Sequence, residues 1–379
     1  MKIVCDNKIP FLKGVFEPYA EVLYLPGAKT TPEDVRDADA LIVRTRTACA
    51  EPLLKGSRVK VIATATIGFD HIDTAWCEAN GIVWENAPGC NSWSVKQYIA
   101  SVLVKLARKH SLKLSEMTLG VVGVGNVGSK VADAARVLGM KVLLNDPPRA
   151  RKEGPEGFVS LDELLSLSDI VTVHVPLQRG GEDNTLHLFD AERLASMRPD
   201  QILINSSRGE VVDNKAIKNV LKKGGLRGAV LDVWEGEPEL DPELVDLLDF
   251  ATPHIAGYSA DGKANGTTAA VRTVARQLGL PLEQWSASGI PEPAQALSFS
   301  IDASGKTTED VLAEAILYTY DVDRDCLPLR EHLELFEKLR GDYQVRREFS
   351  AFTVTLISGS PQMASRIKEL GFKINETAN

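Results

Sequence analysis

The stretch L-G-V-V-G-V-G-N-V-G, Leu119 to Gly128, decides how the chain folds. A short apolar run meets G-x-G-x-x-G at Gly123, Gly125 and Gly128. The segment S-K-V-A-D-A-A-R-V-L (129–138) follows with helical spacing, and K-V-L-L-N-D (141–146) reads as a strand ending in an acid 18 residues after Gly128. Each part has a physical reason. Gly123 allows a tight turn, Gly125 lets a pyrophosphate approach the backbone, and Gly128 lets the helix pack close to the strand. The helix N-terminus, with Asn126 and Val127 in its first turn, offers amides and a positive dipole end to phosphates. Asp146 can accept hydrogen bonds from both hydroxyls of a ribose, and its charge repels a 2′-phosphate, which favours NAD over NADP. In a chain with 29 glycines the pattern alone is weak. Its flanks give it weight against the alternative of a tight turn with no ligand.

Working outward, the same alternation recurs on both sides. Towards the N-terminus the strand candidates are 2–6, 21–26, 40–45, 60–65 and 81–86, all rich in Val and Ile, with a long helical pattern from Ser92 to Leu114. Towards the C-terminus they are 169–176, 201–207 and 228–234. Strands spaced by helical stretches argue for βαβ units and a parallel sheet. Strands apolar on both parities argue for helices on both faces. After about Ala287 the pattern changes. S-G-I-P-E-P-A-Q (288–295) reads as a linker, followed by helical patterns at about 307–319 and 328–340, a β-like run at 352–357 and a short helix at about 361–369.

At 379 residues the chain exceeds one ordinary core. A net charge of −9 argues against broad electrostatic binding to nucleic acid or to an anionic membrane. No apolar run reaches the ~20 residues needed to span a bilayer. Five scattered cysteines without a C-x-x-C pair fit reduced thiols, hence a cytoplasmic protein. No His/Cys pair has metal-ligand spacing, so no metal is expected.

Three polar groups follow strands of the second series, where a doubly wound sheet presents ligands. Arg208 follows I-L-I-N-S-S, Glu237 lies in D-V-W-E-G-E-P after Asp232, and His254 lies in T-P-H-I-A-G-Y-S. An Arg can bind a carboxylate through two parallel hydrogen bonds. A carboxylate fixes the tautomer of a partner imidazole, and that imidazole can take a proton from a carbinol as hydride leaves. Together the three suit oxidation of a 2-hydroxy acid to a 2-oxo acid. Singly, each also reads as structural: a surface ion pair, a solvated charge in an acidic loop, a packed histidine. His174, ending V-T-V-H, reads as cofactor lining or as core. His110, His187 and His332 show no partner.

The stretches G-V-G-N-V-G, N-S-S-R-G-E-V-V-D, L-D-V-W-E-G-E-P and T-P-H-I-A-G-Y-S make residues 1 to about 280 resemble the D-isomer-specific 2-hydroxyacid dehydrogenases. The resemblance implies an α/β architecture with two doubly wound parallel-sheet domains. A Rossmann nucleotide domain (93–255) is inserted in a flavodoxin-like catalytic domain (1–92 and 256–285), with a cleft between them. A small α+β C-terminal domain (286–379) follows. The resemblance also implies that Arg208 orients the substrate carboxylate and that Glu237 pairs with His254, the acid/base. NAD would be held by Gly123, Gly125, Asn126, Val127, Gly128, Asp146, His174, Ser206, Asp232 and Gly257.

The tail stretches Y-D-V-D-R-D (320–325), F-E-K-L-R-G-D-Y (336–343) and R-R-E-F (346–349), with C-D-N-K-I-P-F, V-R-T-R-T and A-T-A-T-I-G-F-D-H-I-D near the front, resemble one branch of this family. That branch acts on a phosphorylated 2-hydroxy acid and dimerises through its C-terminal domain. This implies substrate contacts at Thr45, Thr66 and Tyr258, and a homodimer. Arg44 and Arg46 could supply charge for a distal phosphate, or could face outward. The tail does not resemble an amino-acid-binding regulatory domain. A dehydrogenase for 3-phosphoglycerate or another D-2-hydroxy acid, and a non-catalytic NAD-sensing corepressor on the same fold, stay open as alternatives.

Overall fold

In the computed structural model, which describes residues 1–375, the chain crosses three times between two units. One comprises Met1–Asn91 and Ser259–Pro291, the other Ser92–Tyr258 and Glu292 onward.

The first unit carries five parallel strands: β1 (Lys2–Asp6), β2 (Glu21–Leu25), β3 (Ala40–Val43), β4 (Val61–Thr64) and β5 (Val83–Glu85). Their order is β2-β1-β3-β4-β5, a flavodoxin-like winding. Alternate residues feed opposite faces. Ile3, Cys5, Ile42 and Ala63 pack with the helix Ala260–Leu278, whereas Val4, Leu41, Val43 and Ile62 pack with the short helices of residues 32–79. This two-sided burial is why the strands are apolar on both parities.

The second unit carries β6 (Thr118–Val122), β7 (Lys141–Asn145), β8 (Ile170–Val173), β9 (Ile202–Asn205), β10 (Gly228–Leu231) and β11 (Phe250–Ala251). The order β11-β10-β9-β8-β6-β7, all parallel, reverses beside β6, so the glycine turn after β6 lies at the switch point. Leu119, Val121 and Ile204 face the helices Ser92–His110 and Asn126–Val137; Val122, Val173 and Leu203 face the opposite layer.

The tail adds a small parallel sheet, β12 (Ser298–Asp302), β13 (Thr353–Ile357) and β14 (Lys373–Asn375). Its helices Thr308–Thr319 and Pro361–Leu370 match the sequence pattern closely. The helix expected at 328–340 is instead two, Asp323–Glu331 and Phe336–Gly341, because His332 leaves helical geometry (φ −144°, ψ 74°). The tail shares one core with the nucleotide-type sheet: Val311, Leu312, Phe352 and Phe372 join Tyr98, Leu103 and Val131. Arg366 caps the helix Asn126–Val137 by donating to the carbonyls of Arg136 and Val137, both at 3.0 Å.

Candidate active site

Backbone register puts the polar groups of the second unit on one edge. Val122 pairs with Val173, Val173 with Asn205, Asn205 with Leu231, and Leu231 with Ala251. The residues just past these partners are Gly123, His174, Ser206 to Arg208, Asp232 to Glu237, and Thr252 to His254. Asp146 follows β7 on the same edge. Parallel strands end together, so six strand ends deliver one row of groups.

The glycine turn fits a dinucleotide. Gly123 has φ 85°, and a Cβ there would lie 2.8 Å from the His174 carbonyl; a Cβ on Gly128 would lie 1.9 Å from the Gly123 oxygen. Both are packing glycines. Gly125 differs: a Cβ there would meet nothing within 4 Å, so the space over it is open for a ligand. The helix beginning at Asn126 has no side-chain cap at its N-terminus, which leaves its first amides to an anion. Asp146 accepts from the amides of Val124 (2.8 Å) and Arg149 (3.0 Å), which fixes its carboxylate beside the turn. The Ser206 hydroxyl is buried without a hydrogen-bond partner among the described residues, a donor waiting for an acceptor. Burial pushes the His174 imidazole down to about 3, so it is neutral, with Nε2 3.0 Å from the Thr172 hydroxyl.

At the other end of the row, His254 Nδ1 donates to Glu237 Oε2 at 2.8 Å. Burial raises the Glu237 carboxyl, but the hydrogen bond and charge of His254, the Trp234 amide and the Arg340 charge outweigh it and hold it below the usual range. A carboxylate on Nδ1 leaves Nε2 as the nitrogen for proton transfer. The backbone of His254 is left-handed, φ 56°, a conformation that costs a non-glycine residue roughly 1–3 kcal/mol and gathers at functional sites. Asp232, 1% exposed, holds this turn. Its carboxylate accepts from the Thr252 hydroxyl (2.6 Å) and from the amides of Ile255 (2.8 Å) and Ala256 (2.9 Å). Burial pushes its carboxyl up, against those donors and the His254 charge. Arg208 Nη1 donates to the Ser207 carbonyl at 2.9 Å. Gly209 lets that loop press on the next: a Cβ there would lie 2.1 Å from the Trp234 carbonyl.

Tyr258 belongs to this unit, where its ring meets Tyr343 edge-on at 5.8 Å and its hydroxyl receives a hydrogen bond from Arg340 at 3.2 Å. Thr45, Thr66, Arg44 and Arg46 belong to the other unit. There they follow the adjacent strands β3 and β4 at one edge, joined by the Ala65 amide donating to Val43. Thr45 and Arg46 are exposed. Arg44 donates to the Lys8 carbonyl at 3.2 Å, and the Thr66 hydroxyl donates to the Gly68 carbonyl at 2.9 Å.

Three histidines read as partnerless have carboxylate partners: His110 with Asp249 (2.9 Å), His187 with Glu235 (2.6 Å) and His332 with Glu334 (3.2 Å). The first two partners lie far along the chain, beyond any local pattern. Sequence reasoning also gave no role to Arg340 and Arg346. Among the described residues no group of three or more His, Cys, Asp or Glu is placed to hold a metal ion, and no helix is long and apolar enough to cross a membrane.

A family model described as the NAD-binding domain of D-isomer specific 2-hydroxyacid dehydrogenases matches residues 92–256, and one described only as a domain of unknown function matches 293–371. Among solved structures, D-lactate dehydrogenase of Aquifex aeolicus, complexed with NAD and lactic acid, is 27% identical and covers 75% of this chain and 97% of its own, with a TM-score of 0.61. An NAD-dependent formate dehydrogenase of Staphylococcus aureus, 24% identical over 74% of this chain and 96% of its own, shares the fold with a TM-score of 0.61. Fold and site thus define an NAD-dependent dehydrogenase of the 2-hydroxyacid class. Erythronate-4-phosphate dehydrogenase of Bacteroides fragilis is 50% identical over 94% of this chain and 99% of its own, and that of Proteus mirabilis 42% over 98% and 99%. The chain belongs to the erythronate-4-phosphate dehydrogenase family.

Proposed function

We propose that the chain oxidises 4-phospho-D-erythronate to 2-oxo-3-hydroxy-4-phosphobutanoate in the biosynthesis of pyridoxal 5′-phosphate. The observation that carries this reading is the His254–Glu237 pair, set at the edge of a dinucleotide-binding sheet in a chain with full-length relatives of that name. Bound NAD supplies the hydride acceptor. Gly123, Gly125, Asn126, Val127 and Gly128 hold its phosphates, Asp146 its ribose, and His174, Ser206, Asp232 and Gly257 line the rest of its site. Arg208 binds the substrate carboxylate and polarises C2. His254 Nε2 takes the proton of the C2 hydroxyl as the C2 hydride departs, which leaves the ketone; Glu237 stabilises the imidazolium. Glu237 is held ionised, so its charge is in place to stabilise that imidazolium. Thr45, Thr66 and Tyr258 contact the substrate, and Arg44 and Arg46 supply positive charge for its distal phosphate.

Turnover of 4-phosphoerythronate against 3-phosphoglycerate, with NAD or with a 2-oxo acid to recycle retained NADH, tests the substrate. Preference for phosphoglycerate overturns it. We further read the protein as a cytoplasmic homodimer paired through residues 286–379, where Leu327 and Ile357 are exposed apolar side chains. Because the tail shares its core with helix Ser92–His110, light scattering of the intact chain and of Leu327→Glu and Ile357→Glu is a cleaner test than deletion. A monomeric parent chain sinks the dimer.

A further inference from the structure

We propose that the C-terminal appendage is a working part of the acid/base site, with Arg346 as a positioning residue for His254 and Arg340 for Tyr258. The proposal rests on His254 being the acid/base and goes beyond it, because it gives the tail a role in turnover apart from pairing subunits.

The stretch from His254 to Tyr258 is gripped from two sides. The amides of Ile255 and Ala256 point to Asp232, as described. Their carbonyls point the other way, to Arg346, whose Nη2 donates to Ala256 at 2.6 Å and to Ile255 at 3.3 Å. Arg346 is 3% exposed, and a buried guanidinium needs compensation. It lies over the Tyr320 ring at 4.5 Å and the Tyr343 ring at 5.8 Å. Both tyrosine hydroxyls donate to the same oxygen of Asp325, at 2.8 and 2.7 Å. Thus a largely buried chain of charges and rings, all from the tail, ends on the carbonyls of the two residues that follow His254. His254 is the one non-glycine residue of the site held in a left-handed conformation. Such a conformation persists only where surrounding bonds over-determine it. With Asp232 on one side and Arg346 on the other, neither peptide can rotate without breaking a buried hydrogen bond.

Arg340 acts one step further on. Its Nη2 donates to the Tyr258 hydroxyl, its guanidinium lies 5.8 Å from that ring, and its charge helps hold Glu237 ionised. Its Nε is buried without a hydrogen-bond partner among the described residues. One tail segment therefore touches this stretch at Ile255, Ala256 and Tyr258.

The test uses the full chain carrying Arg346→Met, Arg346→Lys or Arg340→Gln, with His254→Ala as reference. Thermal melts and NAD titration accompany steady-state kinetics on 4-phosphoerythronate. For R346M the expected result is a fall in kcat of roughly 10- to 100-fold, the scale of a misplaced catalytic group. KM and NAD affinity should stay within about threefold of the parent, since neither ligand is touched. R346K, which keeps the charge but not the forked geometry, should recover part of the loss. R340Q should act mainly on KM through Tyr258. A folded R346M with parental kcat overturns the proposal, as does a loss of kcat that only tracks loss of NAD binding. Should R346M fail to fold, R346K decides: lowered kcat at unchanged KM supports the clamp, and parental kcat overturns it. If His254→Ala itself keeps turnover, the acid/base reading fails instead, and the reference shows which of the two was wrong.

Discussion

The second unit holds two histidine–glutamate pairs that look alike on paper. His254 meets Glu237 at 2.8 Å and His187 meets Glu235 at 2.6 Å, and the two glutamates are two residues apart in one loop. Both histidines have left-handed backbones, at φ 56° and 47°. Their surroundings differ. Glu235 also accepts from the Asn214 amide at 2.8 Å, and its own amide donates to Asn214, so it staples one loop to the helix Asn214–Lys222. His187 enters through Nε2 from a loop that leads to Phe189, which bridges to Val212. Everything around that pair is accounted for by holding loops together. His254 enters through Nδ1, stands directly past a strand end, and sits on a turn held by Asp232 and Arg346. A His–Glu hydrogen bond is therefore not a site by itself; what sets His254 apart is the strand end and the turn held by Asp232 and Arg346.

Removing each histidine is the sharpest way to break this contrast. His254→Ala should lower kcat by at least ~100-fold, the usual scale for a general acid/base. His187→Ala should leave kcat within a few fold and act on stability. Steady-state kinetics beside thermal melts would separate the two. Equal losses of turnover would mean that the pairs are not different in kind.

The carboxylates should follow in the same order. Glu237→Gln keeps the shape and removes the charge that stabilises the imidazolium, so kcat should fall by roughly 10- to 100-fold. Glu235→Gln should change stability by about 1 kcal/mol or less, because its pair is partly exposed and screened. An unchanged kcat in Glu237→Gln would reduce that residue to a packing role.

Much of this was legible in the sequence because it is local. A run such as L-G-V-V followed by glycines at fixed spacing specifies strand, turn and helix within a dozen residues, and each strand end shows which polar group follows it. Arg208, Glu237 and His254 could be placed on one edge from that alone. The partner of His187 could not, since Glu235 is 48 residues away and the two meet only when β9 and β10 are already side by side. Arg346 was harder still. It lies 90 residues from the Ala256 carbonyl it binds, in a tail whose packing on helix Ser92–His110 no periodicity announces. The same limit explains the broken helix at His332: the apolar spacing is continuous, and the break belongs to three-dimensional packing.

The smallest effect is a dependence on pH, which falls on the histidine of one pair and on the glutamate of the other. His187 has its pKa raised, first by the Glu235 hydrogen bond, against some desolvation, with Glu235, Asp213 and Asp190 adding negative charge. A group whose folded pKa is raised adds stability that is complete below its unfolded pKa, about 6.5, and is lost as pH rises through the folded one. Glu237 is lowered, so its contribution is present above its unfolded value, about 4.3, and is lost as pH falls through the folded one. The gap in Tm between the parent chain and His187→Ala should thus be widest below about pH 6.5 and narrow as pH rises above it. With a partly exposed side chain, its full size should be about 1 kcal/mol or less. A gap independent of pH would mean that Glu235 holds His187 as a neutral hydrogen-bond donor.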